Sequence, residues 1–305
     1  MPKLEPSSRG VLFGFAAYGM WGLFPLYFDL LADASAWEIV AHRIVWTMLL
    51  AAVGIAVVRQ WDNLRAVLAN RKVLGTLAAA GVLVTLNWTI YVWAVVNGRV
   101  VDAALGYFIN PLVTVTLAIV VLRERLRPVQ LVALGISVVA VVILVVGYGE
   151  APWVALGLAV SFGSYSLAKN RVGPYVKPLV GLGVETTVVA PAALAFIVWA
   201  QTTGVGTLTS HGSLHLWLLV ASGAVTAIPL LAFAAAASRI PLSMLGMLQY
   251  LTPTLHFLIG VFLNHEEMPP ARWIGFGLVW CALVALTWDS IHAARGRREQ
   301  ARLGP

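Results

Sequence analysis

The chain has 305 residues, of which 60% are apolar and only 11% charged, and its formal net charge is +7. That composition leaves no polar stretch long enough for a water-soluble domain beside the apolar part, so any chemistry would have to occur within a membrane. The single cysteine, Cys281, excludes an internal disulfide and gives no sign of an oxidising compartment.

About 20 apolar residues, rising about 1.5 Å each, cross the hydrocarbon of a bilayer. Runs of that length fall at 9–31, 36–58, 73–96, 100–122 and 128–147, and again at 151–168, 178–200, 214–236, 241–263 and 272–291. The first run has no small-residue cleavage site and is followed at once by further runs, which argues against a secretory leader. Pro111, Glu124, Pro128 and Gly135 recur as Pro253, Glu266, Pro270 and Gly277, every one displaced by the same interval, so one unit is written twice. Five is odd, and the second copy therefore enters the membrane from the side opposite the first. The expected fold is all-α and integral to the membrane. It has ten transmembrane helices in two inverted five-helix repeats, 9–148 and 151–291, with a basic tail over 292–305.

The basic residues report topology. Segments 1–9, 59–72, 123–127, 169–177, 239 and 295–302 hold 17 of the 20, the opposite side has Arg99 and Arg272, and Arg43 lies within a run. The positive-inside rule then places both termini in the cytoplasm. A charge spread over alternate loops in this way is not a nucleic-acid surface.

Candidate site residues are those that break the apolar pattern. Pro111 and Pro253 lie near the middle of the fourth and ninth runs, where each frees the carbonyl four residues earlier, that of Tyr107 or Gln249. A freed carbonyl is tolerated where it faces protein or a water-filled cavity, and Asn110 and Tyr250 stand beside these breaks. Paired breaks in inverted halves point to a midplane binding site, although a packing kink reads the same way. Arg43 and Glu185 are separated by the repeat interval as well, so they occupy equivalent positions in the two copies. Each lies about 10 Å deep from its own side, so each borders a vestibule, pairs structurally or snorkels to the interface. Trp21, Asn87, Tyr91 and Tyr165 complete the expected cavity lining, as aromatic or polar groups within runs. Trp37, Trp61, Trp153, Trp217 and Trp273 sit at run ends and read as an interfacial belt. Glu124 and Glu266 read as structural residues that fix the turns before Pro128 and Pro270.

The phosphate loop of ATP-driven pumps is absent, as are H-E-x-x-H and G-x-S-x-G, so no ATP, metal or other cofactor is expected. The strings Gly10–Trp21 (GVLFGFAAYGMW), His42-Arg43, Asn87-Trp88, Leu105–Leu112 (LGYFINPL) and Leu245–Thr254 (LGMLQYLTPT) resemble the EamA branch of the drug/metabolite transporter superfamily, over about residues 9–292. The resemblance implies a ten-helix protein of the bacterial inner membrane that exports small metabolites or drugs through a central cavity. The favoured reading is a secondary transporter rather than an enzyme, with a small-molecule substrate, the lipid bilayer as its surroundings and proton coupling left open. A membrane-embedded lipid-acting enzyme and a channel or scaffold are the alternatives.

Overall fold

The fold is described from a computed structural model that covers residues 6–122, 128–148, 152–172, 175–237, 239–240 and 248–303. Among these residues every regular element is helical. The first run is two helices, α1 (Pro6–Gly22) and α2 (Phe24–Asp29), broken at Leu23. Pro25 enters the first turn of α2, where its missing N–H deprives no helical carbonyl of a partner. In α3 (Ala36–Val57), Ser35 caps the start by accepting from the Glu38 N–H at 3.2 Å. A short helix, α4 (Trp61–Ala69), follows; it carries Asp62, Asn63 and Arg65 and corresponds to no apolar run. Asn70 then caps α5 (Arg71–Val96) through the N–H groups of Lys72 and Val73, at 3.1 and 3.2 Å.

The helices α6 (Val100–Leu122), α7 (Pro128–Tyr148), α8 (Trp153–Val172), α9 (Pro178–Thr203) and α10 (Gly212–Ala237) come next. The chain ends with α11 (Leu251–Leu258), a π turn at Ile259–Leu263 and α12 (Pro270–Leu303). Pro128, Pro178 and Pro270 each open a helix, which suits a residue with fixed φ and no N–H. The paired prolines differ in setting. The α6 backbone stays helical through Pro111, whereas Pro253 sits in the first turn of α11. Residues 241–247, the start of the ninth run, and Glu124 lie outside the described residues. The segment expected as a tail continues α12 as helix to Leu303.

Among the described residues, five segments are long and apolar enough to cross a membrane: Arg9–Asp29, Ala36–Val57, Arg71–Val96, Pro178–Thr203 and Gly212–Ala236. Trp37, Trp61, Trp153, Trp217 and Trp273 are all exposed, and each lies in the first turns of its helix. Packing runs mostly between the halves. Helix α3 lies on α9 and α7 on α12; α1 meets α10 and α11, α8 meets α5 and α6, α5 meets α9 and α10 meets α3.

Two glycines set the closest approaches to a neighbouring helix backbone among the described residues. A Cβ at Gly81 would stand 2.6 Å from the Glu185 carbonyl oxygen on α9, and one at Gly223 would stand 2.6 Å from the Trp46 carbonyl carbon and 2.8 Å from the Thr47 nitrogen on α3. Gly81 and Gly223 are themselves equivalent positions of the repeat. Small residues that let backbones touch are how helices gain dispersion energy in lipid, which offers no hydrophobic drive between them.

Candidate functional site

Five helices, α1, α5, α6, α8 and α11, bring polar and aromatic groups together in the bundle interior. On α5, the buried Asn87 side chain donates to the Leu158 carbonyl at 3.1 Å and to Ser161 Oγ at 3.0 Å, and its Oδ1 accepts from the Tyr107 hydroxyl of α6 at 3.3 Å. One turn along α5, the Tyr91 hydroxyl lies 3.1 Å from His256 Nε2 of α11, and the two rings stack 5.3 Å apart. His256 Nε2 also faces the Trp21 carbonyl of α1 at 3.0 Å. A ring nitrogen facing a carbonyl must carry the proton, which leaves Nδ1 as the acceptor. That Nδ1 is buried with no hydrogen-bond partner among the described residues.

The charged pair separates to either flank. Arg43 on α3 is 4% exposed, its Nε donates to Thr226 Oγ1 at 2.6 Å, and its guanidinium lies 4.1 Å over the Trp88 ring. Glu185 on α9 accepts from Lys169 Nζ at 2.6 Å and from the Tyr165 hydroxyl at 3.3 Å. Glu185 therefore has its own counter-ion and does not reach for Arg43. Aromatic contacts join the flanks through the centre: Arg43 lies 5.7 Å from the Phe28 ring, which meets Tyr91, and Tyr91, Tyr107, Phe162 and Tyr165 follow with centroids 5.8 to 6.2 Å apart.

Of the residues the sequence singles out, Trp21, Asn87, Tyr91 and Tyr107 thus meet in one cluster, while Tyr165 and Glu185 meet in a second beside it. Tyr250 packs instead against the apolar cluster of Phe108 and Phe257, and Asn110 and Gln249 are half-buried. Three participants escape a reading of the sequence. His256 stands among apolar residues with no pattern around it. Lys169 falls with the basic loops because the apolar run ends at 168, yet α8 continues to Val172. Phe162 is an aromatic in an apolar run and carries no signal of its own.

Both ends of the bundle carry charge. At the end with few basic residues, Asp102 is shared by Arg99 and Arg272, at 2.8 and 3.0 Å, and Glu266 lies 4.0 Å from Arg272. Also there, Glu38 accepts from the Thr207 N–H at 2.7 Å and from its hydroxyl at 3.1 Å, and His215 contacts the same hydroxyl at 2.7 Å. At the basic end an open groove of about 490 Å³ is lined by Arg71, Lys72, Thr76, Ser164 and Arg171. No three His, Cys, Asp or Glu side chains gather as a metal site among the described residues.

Glu266, in the loop before α12, accepts from the N–H groups of Val100 at 2.5 Å and Val101 at 3.0 Å. It thus caps α6 from the other half of the chain, rather than only fixing its own turn. Burial pushes its carboxyl up to about 7, against the pull of those two N–H donors. A carboxyl whose folded pKa exceeds its unfolded value, here 4.5, binds more protons folded than unfolded. Its contribution to stability is therefore largest below pH 4.5 and is lost as the pH rises through about 7. Glu266→Gln is expected to flatten that part of the stability–pH curve. Glu266→Ala, which loses both acceptors, should cost about 1–2 kcal/mol at acid pH. Thermal unfolding of the purified protein across that pH range checks both.

Residues 8–146 match the model of the EamA-like transporter family. Protein RarD of Streptomyces exfoliatus is 48% identical over 302 residues, covering 99% of this chain and 95% of its own. The uncharacterized transporter YojE of Bacillus subtilis is 39% identical, covering 96% and 98%. Protein RarD of Escherichia coli is 36% identical, covering 95% and 98%. A protein of known crystal structure, 20% identical, superposes with a TM-score of 0.60 over 94% of this chain and 99% of its own, a likeness of fold.

Proposed function

The chain belongs to the EamA family, among its RarD proteins, and from that membership we propose that it is a secondary transporter of small metabolites or drugs across the bacterial inner membrane. The carrying observation is the continuous aromatic and polar path from Arg43 through Tyr91 and Tyr107 to Glu185, built from helices of both halves. The two halves act as inverted repeats and alternate in exposing this path, with both termini in the cytoplasm and export as the physiological direction. In support of a twofold relation between the halves, exchanging them maps the helix pairing onto itself. The pairs α3–α9 and α7–α12 map onto themselves, α1–α10 becomes α8–α5, and α1–α11 becomes α8–α6. Gly81 and Gly223 repeat the pattern at single residues.

The test is flux into proteoliposomes for a panel of radiolabelled amino acids and amphipathic drugs, with and without an imposed pH gradient. At least one compound is expected to move in a saturable manner, and Glu185→Gln is expected to slow it by about tenfold or more while leaving the amount of folded protein unchanged. Unsaturable flux together with single-channel conductance would replace the transporter reading by that of a channel. Parental flux and parental pH dependence in Glu185→Gln would remove Glu185 from the coupling mechanism.

A further inference from the structure

Among the described residues two other cations within helices meet carboxylates: Lys169 meets Glu185, and Arg272 meets Asp102. Arg43 meets none. Its neighbours are Thr226 at Nε and the rings of Trp88, Phe24 and Phe28, with the guanidinium carbon 4.1, 5.4 and 5.7 Å from the ring centroids. Its Nη1 is buried with no hydrogen-bond partner among the described residues. Glu38, the nearest acid along α3, is five residues away, about 140° around the helix, and is already engaged by Thr207. A buried guanidinium with an open donor is costly in a bilayer, so its retention calls for a partner that the described chain does not supply.

The repeat shows where that partner is missing. The displacement that carries Arg43 onto Glu185 also carries Tyr27 onto Lys169. In the second half these two positions form an ion pair. In the first half the position facing the charge holds a tyrosine whose hydroxyl donates to the Leu218 carbonyl. The counter-ion built into one half is thus absent from the other.

We propose that Arg43 is the anchor for the carboxylate of an amphipathic organic acid, whose apolar body packs against the rings around it. Thr226 holds Nε and Trp88 holds one face of the guanidinium, which leaves Nη1 to bind a carboxylate in a charge-assisted hydrogen bond. The aromatic walls exclude water, which strengthens that contact and penalises a neutral analogue that leaves the guanidinium unpaired. Arg71, Lys72 and Arg171 around the groove at the basic end draw anions toward the bundle. In the conformation described the guanidinium is enclosed, so the acid enters as the helices around it part. This assignment names the substrate class for the transporter reading and rests on it.

The experiment is equilibrium binding of radiolabelled phenylacetate, benzoate and cinnamate, each against its neutral amide, to the full chain in lipid nanodiscs. At least one acid is expected to bind about tenfold or more tighter than its amide. Arg43→Gln should erase that preference, and Thr226→Val, which keeps the charge but frees Nε, should reduce it several-fold. Thr226→Val also serves where Arg43→Gln fails to fold. Acid and amide bound equally, a preference that survives Arg43→Gln, no acid bound at all, or displacement of the acids by inorganic phosphate at equal concentration would each overturn the assignment. Flux measured on the same preparations separates the two readings. Acid preference without flux removes the transporter alone, and flux without acid preference removes the Arg43 anchor alone.

Discussion

Alanine at Gly81 or Gly223 is expected to lower the melting temperature of the purified protein by roughly 5 °C, because the new methyl meets backbone that has no rotamer to yield. At Gly81 the obstacle is the Glu185 carbonyl oxygen at 2.6 Å, and at Gly223 it is the Trp46–Thr47 peptide. Relief requires α5 to move away from α9, or α10 from α3, and overpacking of this kind costs about 1–3 kcal/mol. Valine at either position should leave little folded protein in the membrane. Gly75 and Gly135 provide the control, since among the described residues nothing lies within 4 Å of a Cβ at either. Alanine there should be neutral or stabilising by up to about 1 kcal/mol through helix propensity. Tryptophan emission during heating reads all four variants, and equal melting temperatures for Gly81→Ala and Gly75→Ala would refute the close-packing account.

The Lys169–Glu185 pair predicts an asymmetric response. Lys169→Met leaves the Glu185 carboxylate buried without its cation, an arrangement expected to cost about 2–3 kcal/mol, somewhat under the usual figure because the Lys169 side chain is 28% exposed. Glu185→Gln costs less, since the freed lysine can extend toward the basic end while the amide keeps a hydrogen bond to Tyr165. The double variant Lys169→Met/Glu185→Gln buries no charge and should recover most of the loss. Denaturation of the three variants gives the coupling directly. If Lys169→Met and Glu185→Gln cost the same and their effects add, the pair contributes nothing specific.

Much of the helix layout could be read from hydropathy because lipid sets both the length and the composition of a span. The runs at 36–58, 100–122 and 128–147 are helices at 36–57, 100–122 and 128–148. The errors lie where lipid sets no such limit. The break at Leu23 follows from Pro25, which apolarity alone hides, and α4 lies outside any run because its charged residues keep it at the surface. The candidate site was legible as a set of residue types and illegible as partnerships. Asn87 and Tyr91 stood out as polar groups in apolar surroundings, but their contacts to Ser161 and His256 come from helices 74 and 165 residues away. Thr226, the partner of Arg43, is an ordinary helical threonine in sequence and is identified only by the packing of α10 on α3. The constant displacement of the repeat did connect Arg43 to Glu185; extending it to Gly81 and Gly223 follows from the close helix approaches, and extending it to Tyr27 and Lys169 exposes the imbalance at Arg43.

The packing of halves against each other also sets the order in which the molecule can be made. While the ribosome is still extending the chain through α8–α10, the helices already inserted have lipid or the insertion machinery where their partners will be. During that interval Asn87 lacks Ser161 and Arg43 lacks Thr226, because both partners lie in the half not yet synthesised. Nascent α3 and α5 therefore carry donors into the bilayer before their partners exist: the Asn87 amide gains Ser161 once α8 arrives, and Arg43 gains Thr226 only after α10 arrives to lie on α3. A chain released after residue 148 leaves α1–α7 without the helices they pack on, a product suited to membrane quality-control proteases. It should regain a partner only when the remaining segment is supplied in trans.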